Sequence, residues 1–199
     1  MKLFLLGGML GVLAVVVGVV VANGSAQPST QQPVEIFFGQ SPRPDWRTLN
    51  DGVMGGLSEG ATQWTESGLL WRGRTRLENN GGFSSIRGPW TLTNLKGLDH
   101  IIIRCRGKGG PFKLTMERSE RWWMPYVFAA FRPTETWSDV VIPVADLGWS
   151  QAFTGDLPAL TVDQALGSVL RLGVMKYDGT ATAFDLEIQS IRFKFASGR

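Results

Sequence analysis

One cysteine and one histidine in 199 residues exclude more chemistry than most residues present imply. Cys105 alone cannot close an intramolecular disulfide or contribute to a cysteine-cluster metal site, and its place in the apolar run 100–106 predicts a buried small side chain. His100 alone excludes a His-rich metal site. A Ser-His-Asp triad would have to use it, yet it opens an apolar run with no nucleophile signature nearby. Charge is also sparse: the formal net charge is +3, and Lys and Arg are scattered, so the basic footprint that nucleic-acid binding requires is missing. Long segments of 3.6-residue apolar period are absent too, which removes the crossover helices of an α/β fold.

The carboxylates form no recognisable catalytic pattern. Glu117 with Glu120, Asp178 with Asp185, and Asp185 with Glu187 are candidate acid pairs, but spacing alone brings none across a cleft. Asp185 and Glu187 would share one strand face, expected to be solvated. Asp51 or Asp178 could contribute to a loop calcium site, although no EF-hand-like spacing supports it. No catalytic residue, metal ligand or cofactor is therefore expected, and the chain is read as a non-enzyme.

What is present begins with an uncharged run over residues 3–22, behind Met1 and Lys2, long enough to span a bilayer as a helix. Lys2 keeps the amino end in the cytoplasm and sends the remainder across the membrane. Residues 1–22 are thus expected to be a hydrophobic helix, serving as signal peptide or membrane anchor. Gly24-Ser25-Ala26 offers small residues for cleavage, while the length of the run suits an anchor. No cysteine follows, which excludes a bacterial lipoprotein anchor. Residues 23–33, rich in Ser, Gln, Thr and Pro, predict a flexible linker, and residues 34–199 a single domain, membrane-anchored or exported.

Within that domain, short runs rich in Val, Ile, Phe and Tyr recur at 34–38, 100–106, 112–117, 126–131, 138–142, 169–175, 183–188 and 191–195. Gly and Pro punctuate several of the gaps. Regular short strands of this kind predict a sandwich or jelly roll. Thr161-Val162-Asp163-Gln164 matches a capping box and predicts one short helix.

Two glycine-turned segments stand out: Asn50-Asp51-Gly52-Val53-Met54-Gly55-Gly56-Leu57-Ser58 and Glu78-Asn79-Asn80-Gly81-Gly82-Phe83-Ser84-Ser85-Ile86-Arg87. Each sets a small polar residue before paired glycines and a large apolar residue beside them. They bracket extended chain at 69–77, with Leu69, Trp71 and Gly73 on one face and Leu70, Arg72 and Arg74 on the other. Trp46 followed by these two motifs in this order resembles the complex I intermediate-associated protein 30 family, with weaker similarity through 137–143 and 184–191. The resemblance covers nearly all of the chain after its amino-terminal segment. It implies a galactose-binding-like, jelly-roll-like β-sandwich and a non-catalytic binding or assembly domain; mitochondrial members of the family assist respiratory complex I.

Loops at one end of a sandwich are its usual binding ground. Asp51, Ser58, Asn79, Asn80, Ser84 and Arg87 carry donors and acceptors suited to a ligand or protein partner, or equally to the turns themselves, with Arg87 a possible structural partner of Asp51 or Glu78. Trp122 and Trp123, adjacent in a strand or its lead-in, would point to opposite faces, placing one near the surface to meet a sugar, a protein or the membrane. The expected partner is a membrane-associated protein complex. The alternative is a carbohydrate-binding module for envelope or extracellular glycans, with a tryptophan as stacking platform.

Overall fold

Alternate residues of most of the predicted runs turn inward, and the two inner faces meet in one core. The structure is a computed structural model and describes residues 34–39, 42–150 and 159–196. The expected amino-terminal helix and linker lie outside these residues. Among the described residues no helix is long and apolar enough to cross a membrane.

The strands in chain order are β1 (Val34–Phe37), β2 (Arg47–Asn50), β3 (Glu59–Trp64), β4 (Leu69–Arg74), β5 (Ser84–Arg87), β6 (Leu98–Lys108), β7 (Phe112–Glu117), β8 (Val127–Phe131), β9 (Ser138–Pro143), β10 (Gly148–Trp149), β11 (Arg171–Lys176) and β12 (Ala183–Phe195). They form two six-stranded antiparallel sheets. The first has the order β3-β4-β12-β6-β9, with β1 also on β12, and the second the order β10-β8-β7-β11-β5-β2. This is an all-β sandwich.

Two expectations about the strands need correction. The glycine segments bracket a hairpin, not one strand: β3 pairs with β4 from Glu59 opposite Arg74 to Trp64 opposite Leu69. β3 escapes propensity reasoning because Glu-Gly-Ala-Thr-Gln is poor in β-branched and aromatic residues, and pairing overrides that preference. The runs 183–188 and 191–195 are one strand, β12. Its polar Gln189-Ser190 resembles a turn, but the chain absorbs the extra residue in a register shift between Ile188 and Ser190.

The core is aromatic at its centre. Trp71 packs on Phe184 with ring centroids 4.6 Å apart and on Phe112 at 5.8 Å, so β4 and β12 of one sheet grip β7 of the other. All three rings are buried, each contributing roughly 2–3 kcal/mol of transfer free energy. Gly73 holds the close approach of β3 and β4, since a Cβ there would lie 1.9 Å from the Glu59 carbonyl oxygen. The predicted capping box forms: the Thr161 hydroxyl accepts from the Gln164 N–H at 3.2 Å and the Gln164 side chain accepts from the Thr161 N–H at 2.9 Å. It starts α1 (Val162–Leu166). Cys105 is buried as expected, and that burial, with Asp139 adding to it, pushes its thiol up to about 12.

Candidate functional site

The two glycine segments meet around Asp51. Asn50 is extended, and the chain then turns through a 3-10 helix at Asp51–Met54, closed by Gly55 at φ 85°. The Asp51 side chain is fully buried. Its Oδ1 accepts from the Ser58 N–H at 2.8 Å, and its Oδ2 from the Ser58 hydroxyl at 2.5 Å, the Gly82 N–H at 2.6 Å and the Phe83 N–H at 3.2 Å. Burial would raise this carboxyl, but the bonds from the Ser58 hydroxyl and from the Gly82, Ser58 and Phe83 N–H groups hold it below its usual value. One carboxylate thus ties both motifs together.

The paired glycines follow from that geometry. A Cβ on Gly56 would lie 2.3 Å from the Asp51 carboxyl carbon, and one on Gly81 would lie 2.6 Å from Oδ2. Gly82 has φ 126°, closed to ordinary L-residues. Asn79 and Asn80 are left-handed at φ 56° and exposed. The Asn79 amide donates to the Gly55 carbonyl at 3.0 Å, joining the two turns again. Ser84 is buried and donates to Asn50 Oδ1 at 2.6 Å. Asp51, Ser58 and Ser84 therefore spend their polar atoms inside the fold, and what this end offers to solvent is apolar: Val53, Met54, Leu57 and Leu77 are exposed.

Arg87 belongs elsewhere. It pairs with neither Asp51 nor Glu78, whose ion-pair partner is Arg76. It stands on the outer face of the second sheet, opposite Arg47 on β2 and Gly173 on β11. Glu117 and Arg171 share that face and form an ion pair through Arg171 Nε at 3.1 Å and Nη2. Arg171 also lies 3.8 Å from the centroid of the exposed Trp90 ring. Lys113 lies 5.0 Å from the Phe128 centroid and 5.5 Å from that of Tyr177. Tyr126 reaches across the sheet, its hydroxyl 3.8 Å from Met175 Sδ. Burial raises the Tyr126 phenol and lowers the Arg87 guanidinium; Glu117 adds to the first shift and opposes the second.

Trp122 and Trp123 lie in the turn before β8, closed by the Met124 N–H bonding the Arg121 carbonyl at 3.0 Å. Both are at the surface, 61% and 41% exposed, with their rings edge to face at 5.8 Å. A turn, unlike a strand, lets neighbours emerge on the same side.

Sequence reading missed Lys176. It points inward on β11, is fully buried, and donates to Asp178 Oδ2 at 2.5 Å. Its parity with Leu172 and Val174 was the available signal. Asp178 and Asp51 thus have committed oxygens, and among the described residues no group of three His, Cys, Asp or Glu side chains is arranged to hold a metal. Glu187 is not solvated as expected: it is buried, accepting from Thr65 Oγ1 at 2.6 Å and Arg106 Nε at 2.8 Å.

This arrangement, two antiparallel sheets packed face to face, defines the class of β-sandwich domains. Residues 36–188 match the family model for Complex I intermediate-associated protein 30 (CIA30), and the chain belongs to that family. Membership implies a domain of the complex I assembly-factor type, and the family is a non-catalytic one. No curated protein sequence matches the chain. Among solved structures, the fold is similar to the family 11 carbohydrate-binding module of the cellulosomal cellulase Lic26A-Cel5E of Clostridium thermocellum, at 12% identity and TM-score 0.57, covering 83% of this chain and 97% of that one. The Clostridium thermocellum family 11 module in complex with a β-1,3-1,4-mixed-linked tetrasaccharide gives 12% identity and TM-score 0.57 over 84% and 98% of the two chains. At this identity the likeness is one of fold.

Proposed function

We propose that this protein is a non-catalytic binding domain that assists the assembly or stability of a membrane or envelope protein complex, with respiratory complex I the first candidate. The family match over residues 36–188 carries this reading. The display of Val53, Met54, Leu57 and Leu77 from turns locked by Asp51 supports it, since fixed apolar side chains in solvent suit a protein surface. Residues 3–22 would anchor the domain or carry it across the membrane, so the partner would be met at the membrane. Membrane fractionation of the tagged full-length protein, with protease protection and pull-down of respiratory subunits, tests both parts. Respiratory subunits recovered with a protected or cytoplasm-facing domain support the complex I assignment; an exposed outer domain that recovers none sinks it.

A second reading, a carbohydrate-binding module, is favoured by one observation: Trp122 and Trp123 stand together in solvent, as a sugar-stacking surface requires. Under this reading, Trp122→Ala and Trp123→Ala abolish retention on an insoluble glycan while changing stability by less than ~0.5 kcal/mol. Retention unchanged by either substitution removes the tryptophans from consideration.

A further inference from the structure

The outer face of the second sheet carries more cations than carboxylates. Arg47, Arg87, Arg171 and Lys113 lie on it, on β2, β5, β11 and β7, and Glu117 is the one carboxylate among the outward residues of those strands. Arg171 holds that carboxylate through two nitrogens. Arg47 and Arg87 are directly opposite each other, a like-charge pairing that disfavours the sheet unless something else compensates.

Arg87 is the group that needs explaining. Its guanidinium is half-buried, and its one hydrogen bond runs from Nε to Ser85 Oγ at 3.3 Å. Its two Nη groups have no partner among the described residues, and they are not among the solvent-inaccessible polar atoms, so they face outward. A planar fork in this state matches one chemistry closely: a carboxylate accepting two parallel bonds. Gly173 has no side chain beside Arg87, and a Cβ there would sit 3.6 Å from Arg87 Cγ and 2.9 Å from Thr115 Oγ1. That leaves a floor of bare β11 backbone beside the Arg87 stem.

The aromatic rings around the floor decide which carboxylate fits. Trp90 has Arg171 over one face, and Phe128 and Tyr177 share Lys113. A pyranose stacks on a bare ring face, and each of these rings already holds a cation on one face. An extended acidic polypeptide uses the cations themselves and rests its apolar atoms on the ring edges. We propose that this face, centred on Arg87, docks a carboxylate-rich polypeptide segment of the protein partner, with one Glu or Asp side chain bidentate on the Arg87 Nη groups. The proposal rests on the reading that the partner is a protein.

Titration of the full-length protein in detergent with poly-L-glutamate, followed by tryptophan fluorescence, tests it, with polygalacturonate and a mixed-linked β-glucan as the other ligands. The expected result is salt-sensitive binding of poly-L-glutamate, weakened about 10-fold or more by Arg87→Gln and unchanged by Arg72→Gln on the opposite sheet. Melting temperature checks that the variant is folded; if it is not, Arg47→Gln on the exposed edge strand takes its place, with a loss of about threefold expected. Absence of poly-L-glutamate binding, equal losses for Arg87→Gln and Arg72→Gln, or preference for polygalacturonate overturns the proposal. Respiratory subunits that stay bound to Arg87→Gln sink this surface and leave the assembly reading standing. Tight binding of the neutral β-glucan instead sinks the assembly reading itself.

Discussion

Asp51 and Arg87 are both charged groups drawn partly or wholly out of water, one in each glycine motif, yet they finish in opposite states. Asp51 receives hydrogen bonds on both oxygens from Ser58, Gly82 and Phe83 and has nothing left to offer. Arg87 makes one hydrogen bond, to Ser85, and shares its face with Glu117, which Arg171 already holds, and with the Arg171 guanidinium itself. A saturated charge is architecture, because its removal strands the groups that point at it. An unsaturated one contributes little to the fold and remains able to take a partner. The outer face of the first sheet sharpens the contrast: Arg106 meets Glu187 at 2.7 Å, Arg72 meets Asp185 at 3.5 Å, and Arg104 and Arg192 both meet Asp139. That face is closed by its own ion pairs, while the other has the Arg171–Glu117 pair and leaves Arg47 and Arg87 outside it.

If saturation marks structural residues, the largest loss of stability comes from Asp51→Ala. Stranding the Ser58, Gly82 and Phe83 donors should cost about 4 kcal/mol, read by urea unfolding. The same variant should alter acid sensitivity. Asp51 is held below its ordinary value in the fold, so its contribution is full above the unfolded value of roughly pH 4 and is lost as pH falls through the folded value. Asp51→Ala should therefore unfold less steeply below pH 4 than the parent, and an unchanged acid limb would show that the carboxylate is not the coupling group. Next is Gly82→Val, which forces a β-branched residue to φ 126° beside Leu77 and should cost about 3 kcal/mol. A melting temperature within a degree of the parent would mean the loop relaxes freely.

Glu187→Gln, on the closed face, should destabilise by about 2 kcal/mol, since Arg106 and Thr65 both lose a charged acceptor. Arg87→Gln should cost less than ~1 kcal/mol, mostly in lost packing of its stem. If calorimetry placed Arg87→Gln above Glu187→Gln, the distinction between saturated and open charges would collapse.

The sandwich was legible in the sequence because its strands alternate at period two and its gaps carry Gly and Pro. β7 fell on its predicted bounds, 112–117, for that reason. β3 was not legible, since its residues favour a strand only once β4 lies beside them. The glycine motifs announced a special backbone, and Gly55, Gly82 and Asn79 adopt it. Their polar residues gave no sign of which way they face: Asp51 and Arg87 have the same standing in a sequence, and only the 3-10 turn folding Asp51 onto Ser58 and Gly82, and the parity of β5 at Arg87, send one into the fold and the other outward. Trp122 and Trp123 were expected in a strand or its lead-in, and they stand in a turn, so their common exposure could not be read from alternation.

The long carboxy-terminal strand also governs when the protein can fold. β12 lies between β6 on one side and, on the other, β4 along its first half and β1 along its second, so Val34 finds its partner at Phe193. During synthesis β1 must wait for residues made about 160 positions later, on the order of ten seconds at ordinary elongation rates. Throughout that interval the inner faces of β1, β4 and β6 have no central strand to join them. The first sheet therefore cannot close before β12 is made, and a product stopped before β12 loses the middle of a sheet, not its edge.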